Sequence, residues 1–100
     1  MEVIRVVRLA FLPEKLSDFV KLFEESSLSI RSFHGCTHLE LMGDHIHANV
    51  FYTYSKWTSN EALNEYRSSA LFKNTWNKTK KLFSDKPQAY TMISIQKVQI

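Results

Sequence analysis

Two aromatic residues in the second half of the chain are the first candidates for a binding site. Tyr66 and Trp76 lie ten positions apart in a stretch whose apolar spacing is helical. A phenol can donate a hydrogen bond and an indole can stack on a planar molecule, so we predict that they line a pocket for an aromatic substrate, with Tyr66 as a catalytic donor. Phe72, on the same predicted helical face, joins the substrate-binding set. Packing of all three in the core is the alternative, because aromatic residues at helical spacing are common there.

The histidine best suited to proton transfer is His38. It lies two residues from Glu40 in a predicted strand, which places both side chains on one face about 7 Å apart. A histidine with a pKa near neutrality suits proton abstraction from a phenol, so we predict His38 as the second catalytic residue. A hydrogen-bonded structural histidine is the alternative. Tyr52 shares a strand face with Tyr54 and is predicted to extend the substrate pocket or to serve a dimer face.

The histidines and the single cysteine do not have the spacing of a known metal site. His34 and His38 are four apart but straddle a predicted break between helix and strand, while His45 and His47 fall in a predicted polar loop. No carboxylate or thiolate apart from Cys36 completes a set at zinc spacing. We therefore predict no metal site.

Two arginines in the first predicted strand are candidates for binding an anion. Arg5 and Arg8 lie on opposite strand faces, so at most one can point into a pocket. Such an arginine can bind a carboxylate or phenolate, or it can pair with Glu40 or Glu2 at the dimer edge, and pairing is the interpretation that we favour. The chain has no glycine-rich phosphate loop, nucleophile elbow or dinucleotide-binding motif, so we predict no cofactor of those classes.

The hydropathy pattern predicts that these residues are held by four strands and two helical regions. Period-two patterning predicts strands at residues 2–12, 36–42, 50–57 and 88–98. A helix is predicted between a start at Pro13 and an end at Gly35. A capping box of Thr58 and Glu61 predicts the next helical start, with a break near Ser68. The order β-α-β-β-α-β predicts a ferredoxin-like α+β fold, an antiparallel sheet with helices on one face.

Composition limits the possible classes of protein. The chain has 100 residues, of which 44% are hydrophobic and 23% charged, so we expect one folded domain over residues 1–100. The net charge of +3 comes from lysines between residues 73 and 86 on a predicted outer helix face, which argues against a nucleic-acid partner. No apolar run approaches the length of a membrane span. Cys36 is the only cysteine and cannot form an internal disulfide, and the first eleven residues alternate in hydropathy and carry charges, unlike a signal peptide. Both features favour a cytoplasmic location.

The strands carry apolar side chains on both faces, although the helices can cover only one. Phe51 alternates with Tyr52, and Ile93 alternates with Tyr90 and Met92. A monomer would expose a larger apolar patch than soluble monomers tolerate. We therefore predict a homodimer in which two sheets pack face to face, forming a dimeric α+β barrel.

Three stretches resemble the antibiotic biosynthesis monooxygenase family of small dimeric α+β-barrel domains. They are RLAFLPEKLSDFVKLFEE at residues 8–25, FHGCTHLEL at residues 33–41 and FYTYSKWTSNEALNEYRSSALFKNTW at residues 51–76. The resemblance implies a homodimer with one pocket per subunit between sheet and helices. In several members it also implies oxidation of an electron-rich aromatic substrate, such as a polyphenol, by oxygen without a metal or organic cofactor.

The chain departs from two branches of that family. Matching it to the haem-degrading members puts Val7 at their asparagine, Tyr66 at their tryptophan and Trp76 at their histidine. Because no imidazole stands at position 76 to ligate iron, haem degradation is disfavoured. Many quinol-oxidising relatives carry an acidic residue where this chain has Ser55 and a histidine where it has Tyr66.

Two functions of different classes follow. The first is a cofactor-independent monooxygenase that acts on a small planar aromatic, such as a polyphenol or a quinol-like molecule, in a pocket between sheet and helices. The second is a non-catalytic dimeric domain that binds a hydrophobic small molecule. A cavity with His38, Tyr66 or an arginine at its wall is the structural feature to seek.

Overall fold

The computed structural model describes residues 1–100 and contains one four-stranded sheet with three helices. The elements in chain order are β1 Val3–Ala10, α1 Leu16–Arg31, β2 Cys36–Gly43, β3 Val50–Trp57, α2 Asn60–Arg67, α3 Ala70–Thr79 and β4 Gln88–Met92. All neighbouring strands are antiparallel, and their order across the sheet is β2-β3-β1-β4. The predicted ferredoxin-like α+β fold is confirmed.

Strand register determines which side chains face the helices. Val3 pairs with Trp57 and Leu9 with Phe51, and members of these pairs are buried in the core. Because side chains alternate along a strand, Arg5 and Val7 lie on the same side of the sheet as Val3 and Leu9, and they pair with Ser55 and Thr53 of β3. We call this side the inner face. The other side, which carries Ile4, Val6 and Arg8 on β1, is the outer face.

The first helix begins and ends close to the predicted residues. Pro13 opens a single 3-10 turn before α1, as its fixed φ angle favours at a helix start. The helix ends at Arg31, four residues before Gly35, which has the predicted left-handed conformation with φ +88°. The Arg31 guanidinium donates to the Cys36 carbonyl at 2.8 Å and so ties this turn to the start of β2.

The caps of the later helices correct one prediction and confirm another. Ser59, not Thr58, is the N-cap of α2, and its hydroxyl accepts from the amide of Ala62 at 3.1 Å. The break near Ser68 is confirmed, because α2 ends at Arg67 and the hydroxyl of Ser69 accepts from the amide of Phe72 to cap α3. This break makes two short helices from one apolar stretch.

The core consists of two clusters under the helices. One contains Val3, Cys36, Trp57, Ala62 and Leu63, and Trp57 has no exposed surface. The second contains Leu9, Phe11 and Phe19, with Phe11 and Phe19 stacked at 4.1 Å between ring centroids. The clusters lie at opposite ends of β1 and β3. Between them are two inward-facing cross-strand pairs, Arg5 with Ser55 and Val7 with Thr53, which form the middle rows of the sheet.

The fourth strand is shorter than predicted. It spans Gln88–Met92, whereas residues 93–98 lie outside any strand. The pairing explains this end, because Met92 pairs with Ile4 and its partner strand β1 begins at Val3. None of the helices combines the length and the apolar content needed to cross a membrane.

Candidate functional site

A cavity of about 350 Å³ lies between the inner face of the sheet and the three helices. Its floor is formed by the middle rows of the sheet, where Ser55 and Thr53 occupy inward positions that larger apolar side chains would otherwise fill. Leu9 and Phe19 of one core cluster and Trp57 and Leu63 of the other also line it. The cavity therefore occupies the gap between the clusters, where the inward side chains are too small to close the space.

Aromatic rings from α2 and α3 form one wall. Tyr66 stacks on Trp57 with ring centroids 4.9 Å apart, and Phe72 meets Tyr66 edge to face at 5.3 Å. Phe72 and Trp76 are nearly parallel, with 9° between their planes at 5.9 Å. Trp76 also meets the ring of Phe83 edge to face, with ring centroids 5.5 Å apart. The structure thus brings three of the predicted site residues, Tyr66, Phe72 and Trp76, to one wall of one cavity.

The hydroxyl groups of the cavity differ in their availability for a ligand. Ser55 accepts from the indole nitrogen of Trp57 at 3.0 Å, so this hydroxyl is engaged in fixing a core side chain. Thr79 donates to the carbonyl of Thr75 at 2.8 Å within α3. Burial raises the pKa of Tyr66 to about 12, with a smaller contribution from the nearby Cys36. Its phenol therefore remains a hydrogen-bond donor across the physiological pH range.

Two arginines supply the charge of the cavity. Arg5 lies on the inner face of β1, and its Nη1 donates to the hydroxyl of Thr91 on β4 at 2.7 Å. Arg67, in the last turn of α2, is exposed and also lines the cavity. Burial lowers the pKa of Arg5, and the charge of Arg67 lowers it further. The lining contains no aspartate, glutamate, histidine or cysteine.

Within one chain neither Arg5 nor Arg8 pairs with Glu40 or Glu2, so the expected pairing at the dimer edge stays a prediction. The structure contains an ion pair between Lys15 and Asp18 and a hydrogen-bonding contact between His38 and Glu40, and neither involves an arginine. The prediction that at most one of the two arginines points into a pocket is met, because Arg5 lines the cavity and Arg8 does not.

His38 and Tyr52 lie on the outer face, outside the cavity. The Nε2 of His38 is 2.9 Å from Glu40 Oε1, and its ring lies 5.0 Å from that of Tyr54. The hydroxyl of Tyr52 donates to Asp44 at 3.2 Å. This placement corrects the expectation that these two residues share a pocket with Tyr66, although His38 and Glu40 do share a face as predicted.

A β-bulge explains the position of His38. Cys36 pairs with Trp57, whereas His38 pairs with Lys56, so the register shifts by one residue between them. Without that shift, strict alternation would place His38 on the same face as the buried Cys36. For Tyr52 no irregularity is involved, since it lies five residues from the inward Trp57 and has the opposite parity.

Three further residues, Arg67, Ser55 and Thr53, line the cavity without having been predicted from the sequence. Arg67 is a charged, exposed residue next to Tyr66 in α2, so it is not part of the apolar helix face from which the cavity residues were predicted. Ser55 and Thr53 share parity with Trp57, a signal that could have identified them as inward and polar. The described residues contain no cluster of three or more histidine, cysteine or acidic side chains that could hold a metal ion.

Comparisons with known proteins agree on one kind of domain. A family model described as antibiotic biosynthesis monooxygenase matches residues 2–78. The chain is similar in structure to Rv0793 from Mycobacterium tuberculosis, with a TM-score of 0.89 and 17% identity over 99% of this chain and 100% of that chain. A conserved protein from Methanosarcina mazei Go1 gives a TM-score of 0.88 at 14% identity over 92% of this chain and 91% of that chain.

A third solved structure is that of a candidate antibiotic biosynthesis monooxygenase from Caulobacter crescentus CB15. It gives a TM-score of 0.89 at 18% identity over 95% of this chain and 91% of that chain. At these identities the structural likeness shows a shared fold. A search of the curated proteins finds no match to the sequence.

Proposed function

The chain belongs to the antibiotic biosynthesis monooxygenase family, and from this premise we propose that it oxidises a small planar aromatic substrate in the cavity between sheet and helices. The proposed reaction uses molecular oxygen and no metal or organic cofactor. A polyphenol or a quinol-like molecule is the proposed class of substrate.

The observation that supports this proposal is the aromatic wall of the cavity. A volume of about 350 Å³ lies in the range of roughly 300–1,000 Å³ that is typical of small-molecule sites. The nearly parallel rings of Phe72 and Trp76 offer flat faces for stacking against a planar ligand. Tyr66 adds a hydrogen-bond donor beside those rings, so a planar phenol finds both apolar and polar partners.

The proposed chemistry needs no external reductant. A planar phenol with a free ring position reacts with O₂ to give a quinone and water, as when 1-naphthol gives 1,4-naphthoquinone. One oxygen atom becomes the new carbonyl and the other leaves in water, while the substrate supplies all four electrons. The protein's contribution is to orient the ring against the aromatic wall and to donate from Tyr66 to negative charge that develops on oxygen.

We also propose that the chain forms a homodimer through the outer face of the sheet. This face carries partly exposed apolar and aromatic side chains, among them Met42, Tyr90 and Met92. In such a dimer His38 and Tyr52 would lie at the interface, so we assign them no part in the chemistry. Each subunit would keep its own cavity, since the cavity lies on the inner face of the sheet.

Oxygen uptake tests the proposed function. We expect the protein to consume one O₂ per planar phenol oxidised, measured with an oxygen electrode and by quinone absorbance, beginning with 1-naphthol. Tyr66→Phe should lower kcat roughly 100-fold, the effect of losing one preorganised donor. Tyr54→Phe is the matched control, because it removes a phenol from the outer face and should leave kcat unchanged.

The non-catalytic binding domain remains the second candidate, favoured by the absence of a carboxylate, imidazole or thiol from the cavity lining. Saturable binding of a panel of planar phenols without oxygen uptake by any of them would support that candidate and contradict the monooxygenase. Equal oxygen uptake by the wild type and Tyr66→Phe would contradict the role of Tyr66.

A further inference from the structure

We infer that Arg5 and Arg67 form an anion-binding pair, and that the natural ligand of the cavity is an aromatic molecule carrying an anionic oxygen group, a carboxylate above all. This inference rests on the proposed function only in taking the cavity as the ligand site. It concerns binding, so it can be tested without turnover.

Arg5 is a half-buried cation on the cavity wall. A guanidinium has five N–H donors, and the protein provides Arg5 with one side-chain acceptor, the hydroxyl of Thr91 at 2.7 Å. Holding a half-buried cation is costly unless the charge is paired. No acidic side chain lies in the cavity lining to pair with it. The remaining donors of Arg5 therefore fit an acceptor supplied by a ligand.

Arg67 is a second cation near Arg5, in the last turn of α2. It lines the same cavity as Arg5, and its charge lowers the pKa of Arg5, so the two cations repel each other. The last turn of α2 explains why a cation is tolerated at position 67, since the helix dipole favours positive charge there. It does not explain why a second cation faces the same cavity from β1. An anion between them would relieve the repulsion and satisfy both.

The neighbouring wall determines the rest of the ligand. Tyr66 precedes Arg67 in α2, and the aromatic surface continues from Tyr66 to Phe72 and from Phe72 to Trp76. An apolar ring system would stack on this wall while its anionic group reaches the guanidinium groups. The planar fork of an arginine matches a carboxylate with two parallel hydrogen bonds, which makes a carboxylate the best fit.

The test compares two ligands of the same shape and different charge. 2-Naphthoate is an anion and 2-naphthamide is its neutral counterpart, and isothermal titration calorimetry gives a dissociation constant for each. We expect 2-naphthoate to bind roughly 10- to 100-fold more tightly, the range for hydrogen bonds to a charged group. Arg5→Gln and Arg67→Gln should each remove most of this preference and leave 2-naphthamide binding nearly unchanged.

Arg8→Gln is the matched control. It removes one positive charge from the same strand as Arg5, but on the outer face, so the preference for 2-naphthoate should persist. Circular dichroism establishes that each variant is folded. Should Arg5→Gln fail to fold, Arg67→Gln and the comparison of the two ligands on the wild type still decide the question.

Two results would overturn the inference. One is equal affinity of the wild type for 2-naphthoate and 2-naphthamide, and the other is a preference that both glutamine variants retain. 2-Naphthol, titrated below and above its own pKa, distinguishes a phenolate from a carboxylate as the anionic group. Failure of oxygen uptake with a retained preference for 2-naphthoate would refute the proposed oxidation and leave the anion site standing.

Discussion

The phenol of Tyr66 lies between the rings of Trp57 and Phe72, where its ionised form would lose most of its hydration. Its pKa is raised to about 12 from an ordinary value near 10. Well below pH 10 the phenol is protonated in both the folded and the unfolded chain. As pH rises from 10 towards 12 the unfolded chain loses this proton first, so folding stability falls over that window.

A comparison of the wild type with Tyr66→Phe isolates this effect. Between pH 8 and pH 11 the free energy of unfolding of the wild type should fall by about 1 kcal/mol more than that of the variant, measured by urea denaturation. Other groups that titrate in this range affect both proteins alike. Parallel pH profiles for the two proteins would show that the phenol of Tyr66 is well solvated, and would contradict its burial between the two rings.

Single positions on the strands show what the sequence could and could not predict. The parity of Trp57 was sufficient to place Ser55 inward, because β3 is regular throughout. The position of His38 depended on a bulge that no residue type marks, since Thr37 is ordinary in a strand. A register shift of one residue moves a side chain to the other face, so alternation alone could not place His38 on β2.

At the scale of elements, the order of strands and helices followed from patterning, whereas the caps depended on local geometry. Thr58 and Glu61 have the spacing of a capping box, yet the extended residue at the start of α2 is Ser59, with φ −160° and ψ 165°. Two adjacent hydroxyl residues satisfy the same sequence rule, and only the path of the chain out of β3 selects between them. The break after Arg67 was predictable, because Ser68 and Ser69 interrupt the apolar spacing.

The turn between α1 and β2 offers a sharp test of packing between elements. Gly35 combines a left-handed φ of +88° with a site where an added Cβ would lie 2.5 Å from the Cβ of Ala62 in α2. Gly35→Ala should therefore lower the free energy of unfolding by about 2 kcal/mol or more, from backbone strain and from displacement of α2. Urea denaturation measures the change.

Gly43→Ala is the control for that substitution. A Cβ at position 43 would meet only the ring of Phe51 at 3.7 Å, an ordinary contact, and its φ is not positive. Its effect should stay within about 0.5 kcal/mol. Equal stability of the two alanine variants would mean that α2 moves away from the turn at no cost, and would contradict the close packing of Gly35 on Ala62.

For the whole molecule, the two faces of the sheet differ in what covers them. The inner face packs under three helices around the cavity, while Tyr90 and Met92 on the outer face are 53% and 45% exposed. Ile95 and Val98, beyond the end of β4, are more exposed still. An unpaired apolar surface of this kind is typical of an interface, and a two-fold dimer brings the same face of two chains together.

Val6 lies at the centre of that face and gives the most direct test of the dimer. It pairs with Tyr54 on β3 and with Tyr90 on β4, so in a sheet-to-sheet dimer it would be far from water. We expect the wild type to sediment at micromolar concentration with twice the chain mass of 11.7 kDa. Val6→Lys should give a folded monomer, because burying two unpaired ammonium groups across the two-fold axis costs several kcal/mol.

Two further measurements make this prediction specific to the outer face. Glu24→Lys places the same lysine on the exposed side of α1 and should remain a dimer. Because the cavity lies on the other side of the sheet, the Val6→Lys monomer should keep its preference for 2-naphthoate over 2-naphthamide. A wild type that sediments as a folded monomer would contradict the dimer, and so would a Val6→Lys variant that stays dimeric, since the contact would then have to lie elsewhere on the chain.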